Sequence, residues 1–236
     1  MNGAVTYSED FCRMVAPKLT IPDGYRLSSC QPLGGEKTIT ILHSYGQKTI
    51  DFVRQYPKTC FITHYRPMEL RFGASYLPMS IDVTKLPQSK SRNGKWIYFG
   101  NLMNGKHTIY NQIRKVTDCD IISMGKFNEI PVTQSEAHEI ISEYSYGIGV
   151  GRCALEMYSM GLKVLIAGER FGGVALDHSD YLAQQSVNFN GRVRTGDAEI
   201  RDCIKLIDHS YQPLLSMLDM RNMIPRYQKI INDYAR

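Results

Sequence analysis

Tyr144-Ser-Tyr-Gly-Ile-Gly-Val-Gly-Arg-Cys-Ala-Leu-Glu-Met-Tyr-Ser-Met-Gly-Leu-Lys-Val-Leu-Ile-Ala167 joins two apolar runs through a cluster of glycines and a stretch that is apolar almost all round. The spacing predicts a strand, a tight turn at Gly147-Ile-Gly-Val-Gly151, a buried helix stopped by Gly161, and a second strand. Glycines let backbone N–H groups approach a ligand, and a helix N-terminus carries partial positive charge, so a turn of this build suits an anion. A dinucleotide fingerprint would require a third glycine at position 152, which is Arg152, and no Gly-x-x-x-x-Gly-Lys-Ser/Thr occurs. Nicotinamide-dinucleotide and P-loop chemistry are disfavoured, and a tight turn without a ligand is the plainer alternative.

The same alternation extends in both directions. Upstream, Thr38-Ile-Thr-Ile-Leu-His43 reads as a strand, residues 47–56 as a helix with Ile50, Phe52 and Val53 on its apolar face, and Thr59-Cys-Phe-Ile-Thr-His64 as a second strand. The polar stretch 88–94 reads as an exposed linker, after which Lys95-Trp-Ile-Tyr-Phe-Gly100 opens a new strand and helix. Ile109, Ile113 and Val116 share a helix face, Asp120-Ile-Ile-Ser-Met124 is a short strand, and Thr133-Gln-Ser-Glu136 is a capping box before Ala137 and Ile141. Two helices close the chain, near 199–208 and 213–234, while residues 1–37 fit no single pattern. Alternating strands and helices imply a parallel sheet with helices on both faces and ligands at the carboxyl ends of its strands. The domain boundary is drawn between 1–87 and 88–236.

Composition sets the outer limits. With 43% hydrophobic and 22% charged residues in 236, the chain is globular, neither collagenous nor disordered. No run reaches the roughly 18 apolar residues of a membrane span, and Met1-Asn-Gly3 opens no charged and then apolar leader, so a cytoplasmic location is expected. Cys12, Cys30, Cys60, Cys119, Cys153 and Cys203 form no Cys-x-x-Cys pair and are expected to be reduced thiols, mostly buried. A catalytic cysteine would need a histidine partner. Residues 83–117 hold seven cations (Lys85, Lys90, Arg92, Lys95, Lys106, Arg114, Lys115) and none of the chain's 23 acids, a local field suited to phosphate or nucleic acid, or else to a solvated linker and helix face.

The segment 149–167 resembles the donor-binding segment of GT-B glycosyltransferases, roughly Gly-x-Gly-Arg-x-x-Leu-Glu-Ala-x-Ala-x-Gly-x-Pro-Val-Ile. Leu77-Pro-Met-Ser-Ile-Asp-Val-Thr-Lys-Leu-Pro87 is similar to that family's interdomain linker, and Phe99-Gly-Asn-Leu-Met-Asn-Gly-Lys106 to its Val-Gly-Arg-Leu-x-x-x-Lys-Gly segment. Gly172 and Gly173 fall where the family has a glycine loop after the strand. The resemblance implies a GT-B-like α/β fold: a Rossmann-like, parallel-sheet carboxy-terminal domain and an abbreviated α/β amino-terminal domain. Two family positions differ. Asn101 stands where an arginine normally faces the donor diphosphate, and Ile148 stands at the first glutamate of Glu-x7-Glu, with Glu156 at the second.

On this resemblance the donor is a nucleotide-diphosphate sugar, held by Gly100, Asn101, Lys106, Gly149, Gly151, Arg152, Glu156, Gly172 and Gly173. Glu156 would take the ribose hydroxyls and Lys106 the phosphate of the leaving nucleotide. Glu156 also reads as a salt bridge to Arg152 one turn earlier, and Lys106 as a solvated lysine. His43 and His64 end strands of the smaller domain, and His43 is the better candidate for a catalytic or sugar-binding role. The resemblance implies no cofactor and no metal, with basic side chains and helix N-termini in its place. The expected activity is glycosyl transfer, with a retaining course favoured through Glu156. The acceptor is expected to be large, a polysaccharide or a nucleic acid, or to be held partly by a second subunit of a homo-oligomer. Two other readings stay open: a non-catalytic nucleotide-sugar-binding module, and a nucleic-acid-binding or DNA-modifying protein.

Overall fold

The computed structural model describes residues 3–29, 33–43, 46–88, 92–102, 105–123, 133–194 and 199–236. They form two compact units, Met1–Asp82 with Asp219–Arg236, and Val83–Leu218. Cys30, Ser44, Lys90 and Met124 lie outside the described residues.

The first unit begins with helix α1 (Gly3–Met14) and a short 3-10 turn, then runs β1 (Arg26–Ser28), β2 (Thr38–Leu42), α2 (Gln47–Gln55), β3 (Cys60–Thr63), α3 (Arg66–Phe72) and β4 (Ser75–Tyr76). The four strands form an all-parallel sheet in the order β1-β2-β3-β4. Every residue of β2 and β3 is buried, as expected of a parallel sheet covered on both faces, and β-branched Thr and Ile suit such a strand. Val53 of α2 and Met68 of α3 pack with Leu42, Phe61 and Ala74.

The second unit runs β5 (Trp96–Phe99), α4 (Lys106–Arg114), β6 (Cys119–Ile122), α5 (Gln134–Ile141), β7 (Tyr146–Gly149), α6 (Arg152–Ser159), β8 (Lys163–Ala167), β9 (Phe171–Val174), α7 (His178–Ser186), α8 (Ile200–Leu206) and the single turn α9 (Leu215–Leu218). Its five strands are ordered β6-β5-β7-β8-β9, all parallel except β9. This mixed α/β arrangement is compatible with a Rossmann-like domain. Thr133 and Glu136 form the capping box in both directions, at 3.2 and 2.7 Å. Gly161, at φ +83°, ends α6 as its spacing predicts: Gly161 N–H donates to the Tyr158 carbonyl and Leu162 N–H to that of Met157, which satisfies carbonyls the helix leaves open.

The expected helix over 213–234 is broken. Asp219 is extended, pairs with Ile81 in a parallel bridge, and accepts the Arg221 N–H at 2.9 Å, so the chain leaves α9, makes a 3-10 turn and restarts as α10 (Ile224–Tyr234) with Pro225 in its first turn. α10 packs in the first unit, where Tyr227 and Phe11 meet edge to face at 5.2 Å. The chain therefore closes with the amino-terminal unit, a return that the division at 87/88 did not include.

Candidate functional site

In the second unit, the carboxyl ends of β5 and β7 bring most of the expected donor-site residues together, and the three glycines of the turn do different work there. A side chain at Gly147 would meet the Met157 sulfur at 2.4 Å, and one at Gly149 would meet the Phe99 carbonyl oxygen and the Met157 methyl, each at 2.8 Å. Both glycines therefore serve the packing of β7 against α6. Gly151 makes the turn itself, at φ +57° and ψ −130°. Its N–H donates to the Phe189 carbonyl at 3.0 Å, which fixes the loop. The first i to i−4 bond of α6 runs from Leu155 N–H to Gly151, so the N–H groups of Arg152, Cys153 and Ala154 precede the helical ladder and form the helix's positive end.

Cys153 locates the charges around that end. Its thiol is pushed up to about 12, first by burial and then by the Glu156 carboxylate, while Lys106 and Arg152 act in the opposite direction. Lys106 therefore lies within electrostatic reach of the first turn of α6. It is the first residue of α4, directly after Gly105 in a left-handed conformation, it is half-buried, and it makes no ion pair with a described residue. Gly100, at φ +148°, faces the Cys153 sulfur: a Cβ there would sit 3.8 Å from it. Asn101 follows, exposed, its carbonyl accepting from the Tyr98 hydroxyl at 3.4 Å. Met103 and Asn104 of the expected phosphate segment lie outside the described residues.

Glu156, only 2% exposed, is held by protein. Arg152 Nε donates to its Oε1 at 2.7 Å, Gln134 Nε2 to the same oxygen at 3.2 Å, and His138 Nε2 to Oε2 at 3.1 Å. A carboxylate offers about four lone-pair directions, so these three donors occupy most of them. The i, i+4 pair with Arg152 follows from helix geometry and is legible in the sequence. Gln134 and His138 are not. They share one face of α5 through the same spacing, and only the packing of α5 against α6 brings them to the carboxylate.

Gly172 and Gly173 sit inside β9 and not in a loop. A tight turn, closed by Gly168 N–H to the Arg170 carbonyl at 3.0 Å, sends the chain straight back beside β8. A Cβ on Gly172 would meet the Ile166 side chain at 2.9 Å and the Gly191 backbone at 3.0 Å, so close packing accounts for this glycine. Their carbonyls accept from the buried Gln184 amide at 3.3 and 3.4 Å.

His43 lies in the first unit, just past β2, and His64 just past β3, with ring centroids 5.8 Å apart. His43 Nε2–H donates to the Ser29 carbonyl at 2.8 Å, with the Ser8 and Ser29 hydroxyls at 3.0 and 3.2 Å from the same nitrogen. Ser8 donates in turn to the Ser29 carbonyl and Ser29 to the Ser8 hydroxyl. His64 Nδ1–H donates to the Leu77 carbonyl at 2.9 Å. Burial pushes His43 down to about 4, against the opposing pull of the Ser29 carbonyl. It pushes His64 down to about 3, with the neighbouring His43 adding to the effect. Both imidazoles are neutral at pH 7, and the Nε2 of His43 is a donor there, so it does not act as a base through that nitrogen. Ser8 and Ser29 belong to the stretch whose sequence fits no single pattern.

Among the described residues no group of three His, Cys, Asp or Glu could hold a metal ion, and no helix is long and apolar enough to cross a membrane. Cys60, Cys119 and Cys203 are buried, Cys153 is half-buried and Cys12 is exposed, and none of these forms a disulfide. No protein-family model matches the chain, and no curated protein sequence matches it.

Proposed function

We propose that the chain is a GT-B-type glycosyltransferase that binds a nucleotide-diphosphate sugar at the carboxyl ends of β5 and β7. The observation that carries this reading is that the end of β5 at Gly100 lies against Cys153 in the first turn of α6, with Lys106, which makes no ion pair with a described residue, within electrostatic reach of the same turn. Together they supply a cation and the positive end of a helix, which suit a diphosphate. As the sugar–phosphate bond breaks, the leaving diphosphate takes the bonding pair, and its growing charge is met by Lys106 and the helix end. The acceptor hydroxyl forms the new bond to the anomeric carbon and passes its proton to an oxygen of the departing diphosphate. Glu156, buried and held by Arg152, Gln134 and His138, keeps the Arg152 guanidinium in place from within the helix. The acceptor proposed is a polysaccharide or another polyanion, drawn by the exposed Lys85, Arg92 and Lys95.

A second reading, a binding module without transfer, is favoured by one observation: Ile148, at the position of the first family glutamate, is fully buried in β7 and offers no carboxylate. A thermal-shift screen across UDP-, GDP- and ADP-sugars tests the shared donor claim. A ligand at 100 times its Kd adds about 2.7 kcal/mol, and no shift with any of them rejects both readings. Sugar release or transfer on adding acceptors separates the enzyme from the module.

A further inference from the structure

A cleft of about 600 Å3 opens in the first unit beside the amino end of β3. β2 and β3 are parallel, so it lies at the end of the sheet away from His43 and His64. Its size falls in the range of small-molecule sites, about 300–1,000 Å3. Val53, Phe61, Phe72 and Ile230 give it apolar walls. Cys60 adds to them, because burial pushes its thiol up to about 11 and keeps it neutral.

Of the charged residues among the described lining of the cleft, Arg54 is the one without an ion pair to a described residue. Lys58 is paired with Glu36, and Asp233 with Lys229. Arg54, at the end of α2, lies over the Phe72 ring at 5.6 Å. Arg71, over the same ring at 5.5 Å, lies outside the lining. The Ser75 hydroxyl, also in the wall, has no hydrogen-bond partner among the described residues. A guanidinium stacked on an aromatic face is pre-organised, with its N–H edge left for an acceptor.

We propose that this cleft binds a small amphiphilic anion, with an aromatic or branched apolar body against Val53, Phe61, Phe72 and Ile230 and a single carboxylate or sulfonate head on Arg54. The site is separate from the donor site of the second unit and does not depend on the glycosyltransferase reading.

The test uses the full chain and 1-anilinonaphthalene-8-sulfonate, followed by its fluorescence. Saturable binding at one site is expected. Arg54→Gln should weaken it ten- to a hundredfold, the range for losing a hydrogen bond to a charged group. Ser75→Trp, which fills the cleft, should abolish it. 2-Naphthoate should displace the dye at least about tenfold better than 2-naphthylmethanol, because only the acid offers Arg54 a charge. Arg54 is exposed, so Arg54→Gln keeps its thermal midpoint and decides the matter even if Ser75→Trp fails to fold. Unchanged affinity in Arg54→Gln, equal displacement by acid and alcohol, or no saturable binding overturns the proposal.

Discussion

Replacing Glu156 with alanine removes a carboxylate that is 2% exposed and accepts from Arg152, Gln134 and His138 at 2.7, 3.2 and 3.1 Å. The Arg152 side chain is itself 12% exposed, so its charge would face a gap that water fills poorly. Breaking a buried pair by deleting one partner costs about 3–5 kcal/mol, far more than the roughly 0–1 kcal/mol of a surface pair. For a chain of this size that lowers Tm by roughly 6–20 °C. Trp96, the only tryptophan and buried in β5 of the same unit, reports the transition by its fluorescence in urea. Glu156→Gln keeps the shape and one acceptor oxygen, and should cost less than half as much. A cycle with Arg152→Ala should show a coupling of about 1–3 kcal/mol. If Glu156→Ala costs under about 1 kcal/mol, comparable to a surface pair, the carboxylate is not held by protein and the reasoning from its burial is wrong.

Three further outcomes follow from the geometry. His43 and His64 have folded pKa values depressed to about 4 and 3, so the unfolded chain binds more protons below about pH 6.5 and stability is lost as pH falls from there towards those values. Each should add up to about 1.4 kcal/mol per pH unit to the slope in urea titrations; His64→Gln should remove one such contribution, and an unchanged slope would place His64 in water. Gly149→Ala puts a methyl group 2.8 Å from the Phe99 carbonyl oxygen, a backbone atom that cannot turn aside, and should destabilise by about 1–3 kcal/mol in thermal unfolding; a neutral result would mean that β5 and β7 are less tightly packed than described. Replacing Lys90, Arg92 and Lys95 with Gln should flatten the salt dependence of polyanion binding by up to about three units and leave nucleotide-sugar binding intact; an unchanged slope would make the stretch a solvated linker.

Much of this architecture can be read from periodicity alone, because β2, β3 and β5 are buried end to end, β8 is buried after its first residue, and α2 and α4 present one apolar face. What was hidden has specific causes. α7 buries Tyr181, Gln184 and Gln185, and glutamines on the inner face erase the apolar signal even though Asp177 caps the helix in plain view. Residues 213–234 carry a helical pattern throughout, and the break at Asp219 comes from its pairing with Ile81, some 140 positions away, which no local pattern records. Gly172 and Gly173 look like a loop because glycine is rare inside strands; here Ile166 and Gly191 approach too closely for a side chain on Gly172. In the site, Arg152 and Glu156 are one helical turn apart and their pairing is visible in the sequence. Gln134 and His138 reach the same carboxylate from another helix, and Ser8 and Ser29 reach His43 from α1 and the end of β1.

Lys106 and the first turn of α6 are the proposed seat of the diphosphate, and Lys106→Ala tests this with two ligands on one protein. Calorimetric titration with a nucleoside diphosphate and with its parent nucleoside separates the phosphate contacts from those to base and ribose. Losing a charge-assisted contact should weaken the diphosphate about ten- to a hundredfold and leave the nucleoside within about twofold. Equal losses for both ligands, or none for either, would take Lys106 out of the site and contradict the placement of the diphosphate there.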